Sequence, residues 1–228
     1  MPRSPSLLAM LHGASGIAAS EFDAEFDKGR LYLSGVSDAG VPVMVTRKQA
    51  DGLGEGGEER YLRHLVFTLE SAAACTTNGA EQWVWIIDLR GYSRANSPPI
   101  STSIATLKVF ADHYPERLRR AYIVDAPGIF SLLWRAVSPF VHAATRAKIA
   151  FVTSAEYRAA VDAADGQKLL DLDKKCLGFS EFYRHWLQPY DAAAYRRLLR
   201  DVCRRPAEPS LKARAGQSVA VDAEAHAA

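Results

Sequence analysis

The run Gln82 to Leu89, QWVWIIDL, limits the fold more than any other stretch of the chain. It is continuously apolar and closes on a charge followed by Gly91. A strand of that kind is buried on both faces, as in parallel sheets covered by helices. Two more short apolar runs, Ala121 to Val124 and Ile149 to Thr153, predict further buried strands. Helical spacing separates them. Pro98-Pro99 opens a helix with Ile100, Ile104, Leu107 and Ala111 on one face, and Pro115 ends it. Gly128 to Ser138 reads as a second, very apolar helix. Upstream, Leu31 to Val36 and Val41 to Thr46 flank Ser37-Asp38-Ala39-Gly40, a hairpin signal. After the Gly-rich loop 52–57, Glu58-Glu59 starts a helix with Leu62, Val66, Leu69 and Ala73 in register, and its acidic first turn suits the helix dipole. Helices over Glu156 to Ala164 and Tyr195 to Cys203 follow. Strands alternating with helices predict an α/β sheet that is at least partly parallel.

One domain accounts for this pattern. Residues 21–204 read as the domain, 1–20 as a flexible tail and 205–228, with two prolines and few large apolar groups, as a disordered one. Hydrophobic residues make up 48% of the 228 and charged residues 24%, so the chain can build a sizeable core. A net charge of +2 argues against nucleic acid as a partner. Cys75, Cys176 and Cys203 are far apart with no CxxC, which reads as a reducing, cytoplasmic setting without disulfides or zinc. No apolar stretch is long enough to span a bilayer, and the short apolar run near the N-terminus is too broken for a secretory signal.

Residues 129–141, IFSLLWRAVSPFV, do not fit a plain globule. On a helical wheel Ile129, Phe130, Leu132, Leu133, Trp134, Val137, Phe140 and Val141 cover roughly 200° at 100° per residue. A surface helix needs an apolar stripe of about half that width. Pro139 ends or kinks the helix. Two readings stand: a helix buried between two layers, or one that covers a cavity on one side and meets a membrane on the other.

The residues from Tyr114 to Val152 carry a family resemblance. A YPER motif leads into a strand ending in Ala-Pro, then a hydrophobic helix ending in Pro-Phe, then T-x-x-K-I into the next strand. This order closely resembles the CRAL-TRIO lipid-binding domain, the family of the yeast phosphatidylinositol-transfer protein. ERYLRHLVFTLE (Glu59 to Glu70), IIDLRGYS (Ile86 to Ser93) and the turn Asp38-Ala39-Gly40-Val41-Pro42-Val43 agree in order and spacing. The resemblance covers about residues 26–155. It implies a mixed, mostly parallel sheet flooring a hydrophobic lipid cavity closed by a gate helix. The ligand it implies is a phospholipid, phosphatidylinositol first, exchanged between membranes or presented at them. A tocopherol- or retinoid-like ligand and a regulatory membrane-recruitment module are the alternatives. The partners expected are this lipid and a transient membrane surface, with the chain a monomer that associates peripherally with membranes and uses no other cofactor.

The resemblance also assigns residues. Glu116, Thr145 and Lys148 match the inositol-phosphate headgroup site of phosphatidylinositol-binding members. An ammonium and a hydroxyl suit a phosphodiester, and a carboxylate suits inositol hydroxyls. The alternative is a Glu116–Lys148 ion pair pinning the strand starts. Phe130, Leu133, Trp134, Val137 and Phe140 are the expected gate, cavity or membrane contacts. Where members that take phosphatidylcholine carry small hydroxyl residues, this chain has Trp83 and Trp85, expected on one strand face as cavity wall. The helical N-terminal module and the L-P-x-x-[YF]-G-G signature of the family have no match. Arg117, Arg119, Arg120, Arg135 and Arg146 form a basic rim or a solvated face.

Enzymatic signatures do not emerge. Gly91-Tyr92-Ser93-Arg94-Ala95 lacks the second glycine of a nucleophile elbow. The Gly-rich loop has no following Lys-Ser, and the six histidines lack paired ligand spacing. Asp88 and Asp125 sit at strand ends, where they read as caps or turn formers. A non-enzyme is expected.

Overall fold

The computed structural model of the protein describes residues 17–48, 52–54 and 56–204. Five strands form one sheet in chain order: β1 (Leu31–Val36), β2 (Pro42–Arg47), β3 (Trp83–Asp88), β4 (Leu118–Val124) and β5 (Ile149–Val152). β1 and β2 are an antiparallel hairpin, and β2 through β5 run parallel. The Ser37 N–H donates to the Val41 carbonyl and the Gly40 N–H to the Ser37 carbonyl, both at 2.9 Å. Gly40 has a φ of +79°, and a Cβ there would stand 2.5 Å from the Thr77 carbonyl oxygen. Turn and close approach both require glycine.

The parallel strands need crossovers, and helices supply them. α1 (Asp23–Lys28) precedes the hairpin; α2 (Gly57–Cys75) joins β2 to β3 and α3 (Ile100–His113) joins β3 to β4. Between β4 and β5 come α4 (Phe130–Val137), a 3-10 turn at Ser138–Phe140 and α5 (Ala143–Arg146). These crossovers all step the same way along the sheet, and right-handed connections put such helices on one face. After β5 come α6 (Ser154–Asp162), α7 (Gly166–Lys175), α8 (Tyr183–Leu187) and α9 (Ala192–Arg204).

The two faces of the sheet differ. On one, Val43, Val45, Val84, Ile86, Tyr122 and Val124 are all 0% exposed. The segment after α7 covers them. Phe179 and Phe182 stand 5.0 and 5.8 Å from the Tyr122 ring. The Tyr122 hydroxyl donates to the Leu177 carbonyl at 2.9 Å, and the Trp186 indole N–H donates to Asp88 at 3.1 Å. On the other face Trp85 and Ile87 are only half-buried, and here the crossover helices leave space.

Some elements depart from the sequence pattern. Ile17, inside the stretch expected as a tail, is buried at 8% exposure. The expected tails otherwise lie outside the described residues. Ile149 to Thr153, expected as a buried strand, is the sheet edge, and Phe151 is 48% exposed. Pro139 ends the apolar helix as expected, at Val137, by turning it into the 3-10 turn.

Candidate functional site

The space on the second face is a cavity of about 570 Å³, within the roughly 300–1,000 Å³ of small-molecule sites. Its floor is the second face of the sheet: Trp85 and Ile87 from β3, Ala121 and Ile123 from β4, and Ile149 from β5. Alternation along parallel strands in register puts these side chains on one surface. Leu107 and Phe110 of α3 form a wall, and the Phe110 ring stacks on Trp85 at 5.1 Å.

The fourth side is α4 and the turn after it. Phe130, Leu133, Trp134, Val137 and Phe140 all line the cavity. Trp134 and Phe130 also approach Phe151, at 5.5 and 6.5 Å between ring centres. The outward side of the same segment is apolar too. Ile129, Leu132 and Phe140 are 40%, 64% and 61% exposed. The helix is therefore one thin layer between a cavity and the surroundings, not a helix buried between two layers.

Glu116, Thr145 and Lys148 also line the cavity, at the end where β4 and β5 begin. Lys148 Nζ lies 3.0 Å from Glu116 Oε2, with side-chain exposures of 22% and 82%. So exposed a pair contributes about 0–1 kcal/mol, too little to be the reason for the arrangement. Glu116 adopts a left-handed φ of +59°. Its carbonyl accepts a 2.9 Å hydrogen bond from the Gln82 side-chain amide, which fixes the turn. Of the rim arginines, Arg117 donates to the Glu81 carbonyl at 2.8 Å, and Arg135 and Arg146 are exposed.

The two tryptophans part company. The Trp85 indole N–H donates to Thr46 Oγ1 at 2.8 Å, and its ring is cavity wall. Trp83 is 0% exposed and stands edge-on to Tyr114 at 5.5 Å. Tyr114 lines the cavity and Trp83 does not, so this indole packs behind the wall rather than forming it.

The opposite end of the cavity is polar in a way the sequence reading missed. Lys48, just after β2, lines it with Thr46, Tyr61, Ser103 and Thr106. Its ammonium is 5.5 Å from the centre of the Tyr92 ring, and burial beside Arg30 pulls its pKa down to about 8. The available signal was a Thr-Arg-Lys triplet leaving an apolar strand. Asp88 and Asp125 are structural: Asp88 accepts from Arg90 and Trp186, and Asp125 accepts from the Ser154 N–H and hydroxyl at the start of α6. Among the described residues no cluster of three His, Cys, Asp or Glu could hold a metal ion, and no helix is long and apolar enough to cross a membrane.

Comparison with known proteins agrees with this architecture. A phosphatidylinositol transfer protein of Saccharomyces cerevisiae, PDR17, is 25% identical over 152 residues, covering 63% of this chain and 43% of its own length. Another, CSR1 of Eremothecium gossypii, is 26% identical over 133 residues, covering 58% of this chain and 30% of its own. This chain thus spans less than half the length of either relative. The crystal structure of Sfh5 superposes with a TM-score of 0.50 at 15% identity, over 68% of this chain and 56% of that one. The CRAL/TRIO domain family model matches residues 26–165, which holds the whole sheet and every residue of the cavity, and the chain belongs to that family.

Proposed function

We propose that the chain holds a lipid in the cavity beneath α4 and exchanges or presents it at a membrane surface. The observation that carries this is the double-sided α4 segment. Leu133, Trp134 and Val137 close the cavity, while Ile129, Leu132 and Phe140 offer an apolar outer surface. Transfer of apolar chains from water is worth about 0.8 kcal/mol per methylene, so two acyl chains amount to tens of kcal/mol. Release into water is then very slow. Release where the outer face of α4 touches a bilayer avoids that cost, and the barrier becomes the displacement of α4.

Phosphatidylinositol is the ligand we favour. Lys148 and Thr145 reach the cavity at one end with Glu116 beside them, a set that suits a phosphate and inositol hydroxyls. The names of both relatives point the same way. The experiment is transfer of labelled phosphatidylinositol and phosphatidylcholine between vesicles. Lys148→Ala lowers the phosphatidylinositol rate by about tenfold relative to phosphatidylcholine, the value of one charge-assisted hydrogen bond. Unchanged selectivity removes the headgroup role. It leaves a carrier of a neutral hydrophobic molecule.

A further inference from the structure

Two spaces meet at Lys48. The large cavity and a smaller chamber of about 70 Å³ share Thr46, Lys48, Tyr61, Pro98, Ser103 and Thr106 as lining. Lys48 follows β2, whereas Glu116 and Lys148 precede β4 and β5. These strands are parallel, so the two lysines mark opposite ends of the sheet, on the order of 20 Å apart for strands of this length. A cavity that received only a headgroup at the Lys148 end would bring acyl tails against Lys48. Burying a charge against hydrocarbon is costly unless the charge is paired.

The surroundings of Lys48 call for an anion. Among the described residues no carboxylate lies within 4 Å of its ammonium. Arg30 and Arg47 also line the chamber, but their guanidiniums are already engaged, Arg30 by the Gly52 carbonyl and Arg47 by the Trp186 and Gln188 carbonyls, which leaves the Lys48 ammonium as the charge to be met. Among the described residues the chamber's one acidic lining residue, Glu25, is already held by Arg60. His64 is 2% exposed, lines the same chamber, and its Nε2 has no hydrogen-bond partner. Thr46 Oγ1 accepts the Trp85 N–H, which leaves its own hydroxyl proton to donate, and Ser103 lines both spaces.

We propose that this end is a second binding pole, which receives the anionic terminus of a single-chain amphiphile whose hydrocarbon lies in the large cavity. Size limits the terminus. The chamber of about 70 Å³ is small beside the main cavity of about 570 Å³, which suits a compact terminus such as a carboxylate or a phosphate monoester. Lys48 supplies the charge, and Thr46 and Ser103 supply neutral donors. The proposal rests on the cavity and not on the headgroup role of Lys148.

Titration calorimetry on the delipidated chain tests it, with oleate, oleyl phosphate and oleyl alcohol as probes. Both acidic probes bind the wild-type protein more tightly than the alcohol, and the tighter of the two identifies the terminus as carboxylate or phosphate. Lys48→Met weakens that probe by about tenfold to a hundredfold, the worth of a charged hydrogen bond. It leaves the alcohol within about twofold, which also shows that the variant is folded. Lys148→Met leaves the acidic probe within about twofold. Equal acid affinity in the wild type and Lys48→Met, with the alcohol still bound, overturns the second pole and leaves the lipid cavity standing. A protein that takes up none of the three overturns both.

Discussion

His64 sits where a charge is least welcome. It is 2% exposed, stacked on Phe22 at 4.9 Å, and burial lowers its pKa from 6.5 to about 4. The unfolded chain therefore binds a proton more readily than the folded one. The stability from a neutral His64 is full above pH 6.5 and is lost as pH falls toward 4, by roughly 3 kcal/mol. Urea titrations at pH 7 and pH 4.5 should show that loss in the wild type and a smaller one in His64→Phe. An equal loss in both proteins contradicts this. At the same scale, single residues were legible in the sequence when their role was local. Gly40 read correctly as a turn, and Asp88 and Asp125, expected as turn formers or caps, accept the Arg90 N–H in the turn after β3 and the Ser154 N–H at the start of α6. Trp83 was misplaced because alternation says nothing of what covers a side chain, and here Tyr114, distant in sequence, packs against the indole and lines the cavity in its stead. Lys48 was passed over because one lysine after a strand looks like any surface charge until helices from elsewhere in the chain close around it.

At the scale of elements, α4 is the part whose composition outran its packing. Its excess of apolar residues was visible on a helical wheel, and one side lines the cavity while the other is exposed. Which residues face which way was not visible. Leu132 was left out of the gate set, yet it is 64% exposed and the most outward of the large apolar side chains there. Leu132→Asp should change unfolding free energy by less than about 0.5 kcal/mol, as expected for an exposed site. It should reduce adsorption to phospholipid vesicles by about tenfold in a sedimentation assay. Unimpaired adsorption removes the outer face of α4 from membrane contact. The segment after α7 shows the opposite failure. Phe179, Phe182, Tyr183 and Trp186 repeat at helical spacing and are all buried, but the 3-10 turn at Phe179–Glu181 and α8 are too short to give a sustained periodic signal.

At the scale of the whole molecule, the sheet explains why a cavity forms at all. One face is sealed by Val43, Val45, Val84, Ile86, Tyr122 and Val124 against the aromatic segment that follows α7. The other is roofed by α3 and by a helix of eight residues. So short a roof, leaving Phe151 at the edge half in the open, fills the space above β3, β4 and β5 incompletely. The α/β class follows from runs of apolar residues alternating with helical spacing and was legible early, whereas the strand order emerges only from the pairing. The volume was not, because it is set by how far α3 and α4 stand from the sheet. The central claim is that this volume holds a lipid. Native mass spectrometry of the protein after incubation with mixed phospholipid vesicles tests it most directly. The account predicts a one-to-one adduct that survives desolvation and whose extracted lipid is mainly phosphatidylinositol. A folded protein that emerges with no lipid bound contradicts it.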